Sequence, residues 1–481
     1  MQNPLVHWSF AIPEIWILVM ACVVLLVDLF WGKTQRDLGF WLSIFCLTGA
    51  MVLTAAEMGQ TGSAFYGQLL MDRFTNTADL AVELLGLLVL LYSRRYLMLR
   101  GLYRGEVLAL LLFGVLGAMV MVSGGNLLSL YLGLELLALS QYALVAIYRD
   151  HLRATEAGLK YFILGALASG LLLYGMSLLY GLTGSLGIQK IGASLSGASP
   201  DNYVLIVALV FIVAGVAFKL GAAPFHMWLP DAYQGAPTPV TLFMASAPKI
   251  AAFALFVRLL AQGNAGSMAI WQQLFVALAV LSLLIGNVVA IAQTNLKRML
   301  AYSTISNIGF LALGIVAGSQ NGLASALFYA VVYALMATAG FGVIVYLSRE
   351  GFEAEEIDDF RGLVQQRPWP AFLLLLIMFS MAGVPPTVGF YAKIAVFQAL
   401  VQAGFVWLAV FGVLMAVVGA FYYLRVVKVA FFDPPPEGSR PSGGDPLAGL
   451  TLSVNGLALL VLGIVPAPLM AFCFHALQEV M

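Results

Sequence analysis

Apolar runs of about 18 residues or more recur along the whole chain, separated by short polar stretches. A run of that length crosses a hydrocarbon core of about 30 Å as a helix. The pattern predicts helices near 9–31, 39–56, 77–93, 106–122, 125–148, 157–183, 202–223, 237–262, 272–293, 298–316, 322–347, 371–399, 404–428 and 447–475. The fold class is therefore all-α, a polytopic membrane protein of about fourteen transmembrane helices. No stretch between runs is long or mixed enough to be a soluble domain, so residues 1–481 form a single membrane domain. The first run lacks a basic lead and is too long for a signal peptide, which makes it the first span.

The basic residues test this count, because short cytoplasmic loops collect lysine and arginine. Loops after odd-numbered helices carry sixteen: Lys33, Arg36, Arg94, Arg95, Arg100, Arg104, Arg149, Arg153, Lys297, Arg298, Arg349, Arg361, Arg367, Arg425, Lys428 and Arg440. Loops after even-numbered helices carry three, Arg73, Lys190 and Arg258. A miscounted helix would scramble the parity from that point on. The reading is fourteen spans with both termini outside and odd loops in the cytoplasm. The acidic run from Glu350 to Asp359 and the stretch from Asp433 to Asp445 are then cytoplasmic, either solvated or docking a neighbour.

Composition agrees and excludes other classes. Hydrophobic residues make up 62% and charged residues 10%, against roughly 25% charged in a soluble domain. Net charge is zero, so no basic field attracts nucleic acid. Cys22, Cys46 and Cys473 stand singly in apolar stretches, which argues against a disulfide, a zinc site or an iron–sulfur cluster. No pair of histidines is placed to face across helices as a haem would require.

Once the loops are counted, Lys160, Lys219, Lys249 and Lys393 remain inside spans, with Glu135 mid-span in Y-L-G-L-E-L-L-A-L-S. Glu83 lies nearer a membrane face. A central lysine facing lipid costs about 2.5–3.5 kcal/mol, so these residues need a polar interior, a partner or a neutral amine. Each is either a structural ion pair, a snorkelling chain or a functional group. Helix breakers favour function at two of them: Lys219 precedes Gly221 and Pro224, and Lys393 follows Pro385, Pro386 and Gly389. A broken helix at mid-membrane is a recurring way to build an ion site. Burial disfavours a charged amine and a nearby carboxylate favours it. Lysines in series, joined by water, thus form a relay gated by ion-pair exchange.

The broken helices are numbers seven and twelve. Five is odd, so a five-helix repeat would be inserted upside down relative to its twin. Residues 106–262 would match 272–428, and Glu135 would correspond to the region of Ser303, Ser306 and Asn307. Lys249 would fall opposite the thirteenth helix, which has no central charge.

Three segments carry a family resemblance. Lys219 to Val240 (K-L-G-A-A-P-F-H-M-W-L-P-D-A-Y-Q-G-A-P-T-P-V), Gln293 to Asn307 (Q-T-N-L-K-R-M-L-A-Y-S-T-I-S-N) and M-A-G-V-P-P-T-V-G-F-Y-A-K ending at Lys393 resemble the antiporter-like membrane subunits of respiratory complex I. The related multisubunit sodium/proton antiporters share these motifs. Among the three complex I types, a long C-terminal lateral helix marks the L-type, and this chain stops at Met481. A twelfth-helix glutamate marks the M-type, where Lys393 stands here. The expected type is the N-type, the counterpart of mitochondrial subunit 2.

The resemblance implies a proton relay in which Glu135 and Lys219 form an ion pair, Lys249 is central and Lys393 is terminal. It implies that Lys160 modulates Lys219. The family often has histidine near Asn307, so here the link would rest on water and on Ser303 and Ser306. It further implies a bacterial inner-membrane location and L-, M- and K-type neighbours with lipid between. No cofactor is expected in this chain; NADH, FMN, iron–sulfur clusters and quinone would belong to partner subunits. A sodium/proton antiporter subunit and a structural membrane scaffold are the competing functions.

Overall fold

The computed structural model describes residues 8–32, 36–195, 202–263, 265–435 and 444–478. Lys33, Arg440 and part of the 433–445 stretch lie outside the described residues, as does the side chain of Arg36. Among the described residues, thirteen helices are long and apolar enough to span a bilayer. A further span is split into Pro368–Ala382 and Val388–Gln402, so all fourteen expected spans are accounted for.

Spans 1 to 6 are Ile12–Trp31, Arg36–Ala56, Arg73–Leu99, Gly105–Ser123, Leu127–Val145 and Leu152–Thr183. Span 7 is Tyr203–Leu220, followed across a break by the short helix Trp228–Gly235. Span 8 runs through Thr238–Ala245, Ala247–Phe256 and a π-helical turn at Val257–Gln262. Spans 9 to 11 are Met268–Ile291, Leu296–Val316 and Gln320–Leu347. Span 12 is the split one, span 13 is Val406–Phe432, and span 14 is Pro446–Ile464 followed by Ala467–Leu477.

The sequence reading missed three local features. A small antiparallel hairpin pairs Gly62–Ala64 with Leu69–Met71 after span 2. The loop after span 6 contains a short amphipathic helix, Ile188–Leu195. Span 8 is also interrupted, at Ser246 (φ −114°, ψ −98°), just before Pro248 and Lys249. Proline at the second helical start removes one backbone donor.

Burial separates the centre from the rim. Every residue in the apolar window of span 8 is buried, and 94% of those in span 10, against 39% in spans 1 and 2. A helix apolar on all sides and buried on all sides is the core of a membrane bundle, and its few polar atoms must be satisfied there.

Two close helix pairs are built on glycine. A Cβ at Gly117 in span 4 would meet the Leu137 nitrogen of span 5 at 2.4 Å, and one at Gly286 in span 9 would meet the Ser306 nitrogen of span 10 at 2.5 Å. Small residues let membrane helices approach to backbone contact. The loops of these pairs correspond as well. Leu127 N–H donates to Leu186 and Ile188 N–H to the Gly125 carbonyl; Leu296 donates to Glu355 and Ile357 to Thr294. Each of the four residues in the first pair of bonds lies 169 positions before its counterpart in the second. Asn126 and Asn295 cap spans 5 and 10 at the same offset, accepting from Ser129 and Arg298 N–H groups. In this register the position matching Glu135 is Thr304, between the previously expected Ser303 and Ser306.

Alanine at Gly117 or Gly286 is expected to cost about 1–3 kcal/mol through overpacking against backbone. Gly170, with nothing within 4 Å of its Cβ position, supplies the control. Thermal unfolding in detergent checks this: the first two variants should melt several degrees below the parent and Gly170→Ala should match it.

Candidate functional site

The two helix breaks share one local geometry. Span 7 ends at Gly221 (φ 85°), whose N–H donates to Ala217 and Phe218, while Ala222 N–H donates to Ala217. The first half of span 12 ends at Gly383 (φ 85°), whose N–H donates to Phe379 and Ser380, while Val384 N–H donates to Phe379. Positive φ at both positions suits glycine alone among common residues. Three residues later stand Pro224 and Pro386, each after a cis peptide bond, Ala223–Pro224 and Pro385–Pro386. At the first break Ala223 N–H is taken up by Ser282 Oγ of span 9 at 2.8 Å.

A break leaves carbonyls without intrahelical partners, and in both places a lysine amine occupies them. Lys249 Nζ, on span 8, donates to Leu220 O at 2.9 Å and reaches Lys219 O at 3.5 Å. Lys393 Nζ, on the second half of span 12, donates to Met381 O at 3.0 Å and Ala382 O at 2.9 Å. Both amines therefore sit at the negative end of a half-helix, where the backbone dipole favours a cation. Aromatic rings complete each site: Trp228 and Tyr233 lie 5.3 and 6.0 Å from Lys249 Nζ, and Phe310 lies 4.9 Å from Lys393 Nζ. Both lysines are buried, and none of the described carboxylates lies within 4 Å of either.

The other expected residues are placed differently. Lys219 is in the last turn of the same half-helix, with Nζ 5.9 Å from the centre of the Tyr142 ring. Glu135 in span 5 has one buried carboxylate oxygen, Oε1, without a hydrogen-bond partner, and makes no ion pair with Lys219 within 4 Å. Lys160 does not contact Lys219. It pairs with Glu156 at 2.8 Å and Asp231 at 3.0 Å, its side chain is 47% exposed, and Asp231 also holds Arg298 at 2.7 Å. Lys160 thus lines an open depression of about 300 Å³ with Arg153, Glu156, Asp231 and Gln234.

Between the two capped breaks lies a buried hydroxyl and amide network. Ser303 Oγ bonds the Tyr423 hydroxyl, Asn307 Nδ2 donates to that hydroxyl at 3.2 Å, and Tyr329 Oη donates to Asn307 Oδ1 at 2.7 Å. Ser306 Oγ and Tyr422 Oη both donate to Asn287 Oδ1, at 3.0 and 3.1 Å. Thr304 accepts from Tyr333 Oη at 2.7 Å. The sequence reading found the serines and Asn307 but missed the tyrosines and Asn287. The adjacent pair Tyr422 and Tyr423 in span 13 was the available signal. Phe310 bridges onward, 6.1 Å from the Tyr329 ring and against Lys393.

The count of buried charge needs correcting. Glu83 and Arg258 are fully buried, and Glu14, Asp79 and Lys297 are buried as well. Arg258, assigned above to a loop, lies in the π-helical turn of span 8 and pairs with Asp72 at 2.7 Å. Among the described residues no group of three or more His, Cys, Asp or Glu is arranged to hold a metal ion.

One member of the acidic loop turns inward. Glu353 accepts from Tyr96 Oη at 2.8 Å, from Arg100 at 2.6 Å and from the Thr238 hydroxyl at the start of span 8. Burial pushes its carboxyl up, but Lys297 and Arg100 and the hydrogen bonds from Thr238 and Tyr96 outweigh it and hold the group below its ordinary 4.5. A depressed carboxyl stabilises the fold above its unfolded value and loses that contribution as pH falls through its folded value. Glu353→Gln should cost about 1–3 kcal/mol at neutral pH. Melting curves from neutral to acidic pH check it: the parent should lose stability below 4.5, and the variant should lack that part of the loss.

Residues 124–419 match the family described as NADH:quinone oxidoreductase/Mrp antiporter, TM. The chain is 68% identical to NADH-quinone oxidoreductase subunit N of Acidithiobacillus ferrooxidans, over 100% of both chains. It is 54% identical to the protein of that name from Thiobacillus denitrificans, over 99% of each. A chain of respiratory complex I from Thermus thermophilus has a TM-score of 0.81 at 31% identity, covering 95% of this chain and 98% of that one. A chain of the Mrp complex from a Dietzia species has a TM-score of 0.86 at 20% identity over 98% and 97%, which shows a common fold alone. The chain therefore belongs to the NADH:quinone oxidoreductase/Mrp antiporter family of membrane subunits, with N subunits of NADH-quinone oxidoreductase as its full-length relatives.

Proposed function

We propose that this chain is a proton-translocating membrane subunit of an NADH:quinone oxidoreductase and carries protons along a buried path through Glu135, Lys219, Lys249 and Lys393. The observation that carries this reading is the pair of lysine amines seated on the freed carbonyls of two broken spans. A half-helix end holds a proton on an amine without a fixed carboxylate, so the charge is stabilised where no permanent counter-ion blocks its departure. The ring of Tyr142 beside Lys219, and the hydroxyl and amide network around Ser303, Ser306 and Asn307, flank the lysines. With asparagine at 307, this stretch passes protons along hydroxyls and water instead of through a histidine. Lys160 acts from the rim, where Asp231 competes with other partners for its amine.

The constant offset between the two loop bridges and the matched breaks support two five-span repeats, 106–262 and 272–428, inserted in opposite directions. The basic-loop parity supports termini on the outer side of a bacterial inner membrane. Redox chemistry belongs to partner subunits, which hold the flavin, iron–sulfur clusters and quinone; the membrane neighbours are subunits of the L-, M- and K-types.

Three variants test the path in the assembled complex reconstituted into vesicles. Lys219→Ala and Lys393→Ala should lower NADH-driven proton uptake several-fold. Lys393→Gln keeps a donor for Met381 and Ala382 but cannot carry a proton, so it should assemble normally and still pump poorly. Normal pumping by assembled Lys393→Gln would overturn the relay. Purification of the tagged chain without an NADH-oxidising, flavin-containing assembly, together with sodium-dependent exchange, would overturn the complex I assignment.

A further inference from the structure

Spans 1 to 3 hold a second polar column that the lysine path does not use. Asp72, the N-cap of span 3, and Asn76, Asp79 and Glu83 on that span follow one another at helical spacing and form a single stripe. At 1.5 Å per residue the stripe runs roughly 16 Å. Asp79 and Glu83 are buried, and Glu14 of span 1 is buried opposite them. Glu83 Oε1 accepts from Thr54 of span 2 at 2.8 Å, and Glu14 Oε1 accepts from Ser123 of span 4 at 3.0 Å.

The unpaired atoms of this column are all acceptors. Glu14 Oε2, Asp79 Oδ1, Glu83 Oε2 and Glu57 Oε2 are buried without a hydrogen-bond partner. Asn76, fully buried, adds an independent sign: its Nδ2 is fixed by donating to the Glu57 carbonyl at 3.0 Å, which leaves Oδ1 in the stripe with no donor. An ionised carboxylate only accepts, whereas a carboxylic acid donates one hydrogen. What the column lacks is hydrogens.

Among the described residues, a single cation faces it. The charged and titratable groups facing Asp79 and Glu83 are Glu14 from span 1, Cys46 and Glu57 at span 2, Asp72 on the stripe itself and Arg258 from span 8. Arg258 is already held by both oxygens of Asp72, at 2.7 and 3.1 Å. Despite burial, that arginine keeps the Asp72 carboxyl below its ordinary value. Glu57, just past span 2, is pushed up to about 7 by burial and then by Glu14. Several buried carboxylates facing one engaged arginine cannot all ionise.

We propose that spans 1 to 3 contain a proton-binding site of their own, formed by Glu14, Asp79 and Glu83 and filled from the face that bears Asp72. On that face Asp72 lines an open depression of about 1060 Å³ together with Tyr66, Asn126, Lys190 and Gln262, which gives the head of the stripe an opening toward solvent. The site is separate from the lysine path, but Arg258 sits on the helix that carries Lys249, so the two columns share one rigid element.

Infrared difference spectroscopy on the assembled complex in liposomes tests the site independently of pumping. At neutral pH the parent should show a protonated carboxylic C=O band that shifts in deuterated water. Glu14→Gln, Asp79→Asn and Glu83→Gln should each diminish it, and any one variant that assembles suffices. The band should grow when an acid pulse reaches the Asp72 face. An unchanged band in an assembled variant, a response only to acid on the opposite face, or loss of the band on replacing potassium by sodium at constant pH would each overturn the proposal. Failure of Lys219→Ala or Lys393→Ala to affect pumping leaves this readout untouched, so the two readings fail separately.

Discussion

A backbone carbonyl in hydrocarbon must be hydrogen-bonded, and the centre of this protein is organised by the places where a helix cannot do that for itself. Glycine in a left-handed conformation followed by proline ends span 7 and the first half of span 12 inside the bundle. The carbonyls at each end need donors, and water is scarce at that depth. Lys249 and Lys393 meet the need and are held in place by it. The cost of burying an amine and the cost of breaking a helix thus offset each other. This explains how two lysines persist in the interior without a carboxylate in contact.

The same economy does not extend to the whole polar interior. Lys160 and Asp231 make an exposed ion pair at the rim, of the kind that contributes little to stability. Arg258 and Asp72 make a buried one that draws the loop before span 3 onto span 8. Glu353 gathers Tyr96, Arg100 and Thr238 and so fixes where span 8 begins. Ion pairs here set the positions of helices, while the lysines at the breaks are left with neutral partners.

How much of this was legible depended on the range of each interaction. Spans follow from local hydropathy, and the breaks at Gly221–Pro224 and Gly383–Pro386 are local signals too, so both were readable. The capping of Leu220 by Lys249 joins residues 29 apart on different spans, and nothing in the sequence marks it. Arg258 was counted with the loop after span 8 although the expected helix, 237–262, already reached past it, and the structure places it in the π-helical turn that ends that span. Glu14 and Asp79 escaped notice because they lie near the ends of apolar runs, where a solvated carboxylate is the ordinary outcome. Lys160 stands in span 6 as expected, but its pairing with Asp231, 71 residues on, is again a contact that nothing in the sequence marks. The repeat was visible as a count of helices, whereas the match of Glu135 to Thr304 needed the backbone bridges.

The two capped breaks also differ as mechanical parts. Lys393 belongs to the span whose break it fills, so its side chain closes a small ring within one helix and acts as a latch on a hinge. Lys249 belongs to the following span, so its side chain is a pin driven from one rod into the end of another. Lifting the latch frees two halves of one span to bend. Drawing the pin lets two whole spans slide apart, in the middle of the most tightly enclosed part of the bundle.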